Sequence, residues 1–103
     1  MGEFQVVFTP YAVGDLEQIV RYIARDNPDA AQQFGDKLVD RALSLSEPLV
    51  CQSGGRLRKR PGVRKLIEGN YLILYRTLPE QNKVRVLRFW HAARDRVRLY
   101  LGE

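Results

Sequence analysis

The sequence predicts an α+β fold of order β-α-α-β-β-β, in which a curved antiparallel sheet is covered by a helical hairpin and a short C-terminal helix closes the chain. Three observations carry this expectation. The chain opens on residues that alternate between two faces. Two segments with apolar residues at helical spacing follow, each introduced by a polar cap and a proline, and the second half holds three strand-like runs separated by tight turns. At 103 residues the chain fits a single domain, 1–103, with one core and little burial to spare.

Phe4, Val6 and Phe8 alternate with Gln5, Val7 and Thr9, the period of a strand with one face in the core. Thr9 is a good N-cap, and Pro10 suits the first helical position, where its missing N–H costs nothing. Leu16, Ile19, Val20 and Ile23 then fall on one stripe of an amphipathic helix that stops near Arg25. Asn27 and Pro28 repeat the start, and Ala31, Phe34, Leu38, Ala42 and Leu45 continue at helical spacing to about Ser46. The short link between the helices makes them an antiparallel hairpin.

Pro48 ends the second helix in this reading, and residues 52–55 open a flexible loop that runs into Arg56–Gly62. Strands follow at about 63–67, 70–77 and 83–90, with turns at Glu68-Gly69 and Pro79–Asn82. Short hairpins make these three antiparallel, while the first strand reaches the sheet through the helices, at an inner or edge position. Leu72, Ile73 and Leu74 mark the 70–77 strand as central, and a short helix is expected from Ala92 to Leu101.

Apolar residues make up 45% and charged residues 28% of the chain, the balance of a globular protein rather than a disordered one. No apolar run approaches the length of a membrane span, and the first residues lack the basic flank and apolar core of a signal peptide, so a cytoplasmic protein is expected. The lone Cys51 agrees and reads as structural, since it has no partner for a disulfide and no activating motif. Charge is uneven: residues 1–50 carry four Lys/Arg against eight Asp/Glu, residues 51–103 thirteen against four. The second half is where an anion would bind, and nucleic acid and an acidic protein are both open as partners.

Three constellations stand out. From Arg56 to Lys65 six of ten positions are cationic, namely Arg56, Arg58, Lys59, Arg60, Arg64 and Lys65. That density suits phosphate contacts, because Arg donates paired hydrogen bonds and Lys supplies a point charge. Arg64, Arg76, Arg88, His91 and Arg94 lie on or just after consecutive strands and are candidates to converge on one sheet face. Arg64, His91 and Arg94 would then supply a base, an acid and cations for attack by a ribose 2′-OH, whereas a structural His91 is the plainer alternative. Tyr11, Val20, Tyr22 and Val39 lie off or at the margin of the helical stripes and suit either ordinary exposure or a partner's docking groove. Phosphate-loop, zinc-protease and nucleophile-elbow motifs are absent, so no cofactor, metal or small-molecule substrate is expected.

Thr9-Pro10 with Asp15-Leu16-Glu17 and Tyr22-Ile23, then Asn27-Pro28 with Ala30-Ala31, is similar to the helical hairpin of the ParE branch of the RelE/ParE toxin superfamily. Pro61–Leu66 with Tyr71–Arg76 resembles its sheet core, and His91-Ala92-Ala93-Arg94-Asp95 its terminal signature. The resemblance implies a toxin of a type II toxin-antitoxin system that inhibits DNA gyrase, with plasmid stabilisation as its setting. It also implies a ParD-like antitoxin that wraps the helices and sheet, with Tyr11, Val20, Tyr22 and Val39 as its expected contacts.

The basic surface of Arg56, Arg58, Lys59, Arg60, Lys65, Arg76 and Arg88 would then meet gyrase or its DNA and do no chemistry. RelE-type relatives on the same scaffold cut messenger RNA on the ribosome, and this alternative would make Arg64, His91 and Arg94 catalytic. Ala92 and Ala93 follow the histidine where some ribonucleases place a tyrosine. A third alternative is a non-toxic module that only binds an antitoxin. One scaffold serves several activities, so the residues must decide.

Overall fold

The computed structural model describes residues 3–94 and 98–102. Strand β1 (Gln5–Phe8) leads into α1 (Pro10–Ala24) and α2 (Pro28–Leu43), followed by a 3₁₀ turn at Ser44–Ser46 and a short helix α3 (Pro48–Ser53). The remaining strands are β2 (Gly55–Arg56), β3 (Arg64–Glu68), β4 (Tyr71–Leu78) and β5 (Lys83–His91). They form one sheet of order β1-β5-β4-β3-β2.

The helix starts follow from their caps. Thr9 Oγ1 accepts a hydrogen bond from Ala12 N at 3.1 Å and donates one to Leu87 O at 2.9 Å, so the same hydroxyl caps α1 and fastens it to β5. Asn27 Oδ1 accepts from Ala30 N at 3.0 Å, and a proline opens both helices. The hairpin closes tightly because Gly35 faces Val20: a Cβ at Gly35 would sit 2.9 Å from Val20 Cγ2.

Four expectations need correction. The sheet is mixed rather than wholly antiparallel, since β1 runs parallel to β5, from Gln5 opposite Lys83 to Phe8 opposite Val86. The two-helix connection is long enough to return the chain in the same direction, which a hairpin cannot do. Pro48 starts α3 instead of merely ending α2, because proline fits a first turn as well here as at Pro10 and Pro28. The expected flexible loop is drawn into the sheet, where Gly55 pairs with Lys65 and Arg56 with Arg64. The helix expected over Ala92–Leu101 falls partly on residues 95–97, outside those described. On either side, Ala92–Arg94 form a turn and Leu99–Gly102 a non-helical strap.

Both faces of the sheet are covered. Leu38, Ala42 and Leu45 pack with Leu66, Ile73, Tyr75, Val84, Val86 and Phe89 on the helical side. Leu72, Leu74, Leu87 and Trp90 pack on the other side against Leu57 and Val63 of the basic loop and Leu99 and Leu101 of the strap. Each fully buried Leu or Val contributes about 1.5–3 kcal/mol relative to exposure. A bulge divides the faces of β5: Arg88 pairs with Leu74 and Val86 with Tyr75, leaving Leu87 as the extra residue. Val86 and Phe89 therefore face the helices, while Leu87 and Trp90 face the strap.

Thr9→Ala removes a cap and an anchor together and should lower stability by about 1–2 kcal/mol in urea unfolding. Thr9→Ser should keep most of it. An unchanged midpoint for Thr9→Ala would contradict the double role of the hydroxyl.

Candidate functional site

Beyond Phe8 the edge of β5 loses its strand partner, and α1 takes over. Asp15, 7% exposed, lies on the buried stripe of α1 with Ala12 and Ile19. Its carboxylate accepts from Arg88 Nε at 2.6 Å and Nη2 at 2.7 Å, and from Phe89 N at 3.1 Å. Arg88 also donates to Tyr100 O and lies 5.6 Å and 5.2 Å from the ring centroids of Tyr11 and Trp90. The hydrogen bond to Asp15, chiefly, holds the Arg88 guanidinium above its ordinary pKa. Arg88, expected on the target-facing surface, is thus committed to the fold, with only 13% of its side chain exposed.

Arg64 and His91 lie on the same face of the sheet but do not come together on it. Arg64 lies opposite Tyr75 and His91 opposite Tyr71. The two sites are therefore about 13 Å apart along β4 and about 10 Å apart across it. Arg64 Nη1 donates to Gln52 O and Gly54 O at 3.1 and 3.0 Å, bracing the end of α3. Arg76 and Arg88 cannot join Arg64 either. Arg76 alternates with Tyr75 onto the strap side, and the bulge puts Arg88 there too, whereas Arg64 shares its side with Leu66.

His91 and Arg94 do come together. With Asp15, Gln18, Tyr22 and Tyr71 they line a cleft of about 280 Å³ between α1 and the end of β5. The His91 ring meets Tyr71 edge-on at 5.0 Å, its Nδ1 accepts from Ala93 N at 3.1 Å, and the Arg94 guanidinium lies 4.0 Å from the Trp90 ring centroid. Burial pushes the Tyr71 hydroxyl above its ordinary pKa, with Tyr22 adding to the shift and Arg94 opposing it. Cys51 is fully buried and burial pushes its thiol up, the reverse of an activated nucleophile.

The basic loop is an ordered projection rather than a slack one. Leu57 and Val63 anchor it in the core, and Leu57 N donates to Val63 O at 2.9 Å. Lys59 occupies the left-handed region at φ 63° and Gly62 at φ 80°. Arg56, Arg58 and Lys59 are exposed, whereas Arg60 is half-buried and donates from Nη2 to Leu99 O at 2.7 Å. Arg76 donates to Pro61 O at 3.3 Å, and its guanidinium comes so close to Gly62 that a Cβ there would lie 2.3 Å from Nη1. Lys65, half-buried, runs its side chain past Gly55.

Of the four helical candidates, Val20 and Val39 meet in one groove. They line a hollow of about 450 Å³ between α1 and α2 with Leu16, Ala24, Pro28 and Ala31. Tyr22, 68% exposed, borders the His91 cleft, while Tyr11 lies at the other end of α1 against Tyr100, centroids 5.3 Å apart. Among the described residues no cluster of side chains could hold a metal ion, and no helix is long and apolar enough to cross a membrane.

The fold is shared with proteins of toxin-antitoxin systems. The chain is similar to a chain of the chromosomal ParDE toxin-antitoxin system from P. aeruginosa, with TM-score 0.74 and 23% identity over 88% of this chain and 98% of that one. It is also similar to a chain of the RelBE2 toxin-antitoxin complex from Mycobacterium tuberculosis, with TM-score 0.66 and 30% identity over 89% of this chain and 94% of that one. No curated protein sequence matches. The family described as the ParE toxin of the type II toxin-antitoxin system parDE matches residues 6–96. The chain belongs to that family and is a toxin of the type II class.

Asp15→Asn keeps the shape but leaves Arg88 without its countercharge, so denaturant unfolding should show a loss of about 3 kcal/mol. A loss below about 1 kcal/mol would mean that the pair is not the main tie between α1 and β5.

Proposed function

We propose that this toxin blocks growth by binding and inhibiting DNA gyrase, without chemistry of its own. A ParD-like antitoxin neutralises it. The observation that carries the reading is the separation of the cations. Arg64 braces α3, Arg88 is locked to Asp15, and His91 with Arg94 lies at the far end of the sheet, so the groups that a phosphodiester cleavage would need do not face one point. On the basic loop Arg56, Arg58 and Lys59 stay exposed, flanked by Arg60, Lys65 and Arg76. That surface suits recognition of gyrase or of the DNA that gyrase holds.

The antitoxin reading rests on the α1–α2 groove. Its lining is mostly apolar, and its length along two packed helices fits the apolar side of an amphipathic segment. Acidic residues of such a partner would extend toward the second half of the chain, where thirteen Lys/Arg stand against four Asp/Glu. Val20 and Val39 are its central contacts and Tyr22 a flanking one, with Tyr11 reached only by a partner that spans all of α1.

A ribonuclease reading has one observation in its favour, the shared cleft of His91, Arg94 and Tyr71. It would have to work without Arg64.

Two variants separate the surfaces. Arg58→Glu with Lys59→Glu should weaken gyrase inhibition at least about tenfold while antitoxin binding survives, in keeping with the steep cost of like-charge contacts. Val20→Glu should do the opposite and release the toxin from its antitoxin. Full inhibition by the double charge reversal would remove the loop from the target surface, and intact neutralisation of Val20→Glu would remove the groove from the antitoxin site.

A further inference from the structure

Within the basic projection lies a small notch that the charge reading alone does not reveal. It encloses about 200 Å³ between β2, the loop and the start of β3, and is lined by Arg56, Arg60, Arg64, Gly62 and Thr77 together with the apolar residues beneath them. Three arginines line it and no Asp or Glu does. Two of the three are held in place from behind. Arg64 is fixed through Nη1 by the carbonyls of Gln52 and Gly54, and Arg60 through Nη2 by Leu99 O. Each guanidinium carries five N–H donors in a planar fork, and these carbonyls engage only one nitrogen of each.

The loop that carries the notch is held as well: Arg76 of β4 donates to Pro61 O and lies against Gly62, whose φ of 80° and lack of a Cβ let the loop turn this closely. Thr77 adds a hydroxyl to the rim.

We propose that this notch is a phosphate subsite that takes one phosphodiester of a nucleic-acid backbone. Three guanidiniums lining a space of this size suit a tetrahedral oxyanion, and the absence of a lining carboxylate removes the usual competitor for the guanidinium forks. The projection around it, with Arg58 and Lys59 exposed on the same loop, would follow the neighbouring phosphates. The inference deepens the reading of the loop as the target surface. It says that the loop touches the DNA of a gyrase–DNA complex and not the protein alone.

The test is fluorescence anisotropy of the full chain with a labelled duplex DNA of about 20 base pairs, in the absence of gyrase and over a series of salt concentrations. Among the described residues the Arg56 side chain makes no hydrogen bond, and Thr77 lines the notch, so Arg56→Gln and Thr77→Glu probe the subsite without cutting the braces at Arg60 and Arg64. Arg25→Gln, at the exposed end of α1, removes the same charge elsewhere.

Arg56→Gln should weaken binding about 3- to 10-fold and lower the salt slope by about one. Thr77→Glu should weaken it further by placing a carboxylate in the notch, and Arg25→Gln should change it less than twofold. A duplex RNA probe should respond to the variants as DNA does, since a backbone subsite reads neither sugar nor base. Unchanged binding by both notch variants, or an equal loss from Arg25→Gln, would overturn the proposal. Because no gyrase is present, such a failure leaves the gyrase reading to its own assay, and a failure there leaves the phosphate subsite standing.

Discussion

The buried pair between Asp15 and Arg88 ties α1 and the C-terminal strap to the sheet. It joins α1 to the outer edge of β5, satisfies the Phe89 amide, and through Tyr100 O holds the strap. Burying two charges costs several kcal/mol, and only a bidentate geometry with further hydrogen bonds offsets it. Those conditions are met here, with Tyr11 and Trp90 stacked about the guanidinium. The strap then covers Leu72, Leu74, Leu87 and Trp90, so the second face of the sheet is a core and not an open platform.

That constraint decides what the cations can do. With Arg88 spent on Asp15 and Arg64 on the end of α3, the loop between β2 and β3 still holds three neighbouring exposed cations, Arg56, Arg58 and Lys59. Leu57 and Val63 anchor it from beneath, Arg60 ties it to Leu99 O of the strap, and Arg76 of β4 holds it through Pro61 O. A rigid, cation-rich projection binds anions at low entropic cost. The groove between α1 and α2 lies on the acidic half of the sequence, apart from the basic loop of the second half.

Local signals in the sequence locate most of the fold. Thr9-Pro10 and Asn27-Pro28 place both helix starts, and the apolar spacing after each gives its buried face. The sheet's details depend on long-range pairing and so leave little local trace. Strand β2 exists because Gly55 and Arg56 meet Lys65 and Arg64, not through any strand propensity, and the parallel pairing of β1 with β5 joins residues almost eighty positions apart. The bulge at Leu87 is hidden in a continuous run of strand-forming residues, yet it sends Arg88 to the face opposite Arg64. Pro48 carries a legible signal for α3, the same first-turn proline that opens α1 and α2. Asp15 carries one too: a carboxylate between Ala12 and Ile19 on a buried stripe needs a buried cation. The density of charge in the loop was plain from composition, but the notch within it required the register of β2 on β3 and the carbonyls that aim Arg60 and Arg64.

A scaffold proposed to bind its target without cutting it is tested by placing one purified preparation in a gyrase supercoiling and cleavage-complex assay and, in parallel, in a message-cleavage assay on translating ribosomes. Inhibited gyrase with intact message is the expected result. Cleaved message with unaffected gyrase would contradict it and move the function to the cleft of His91, Arg94 and Tyr71.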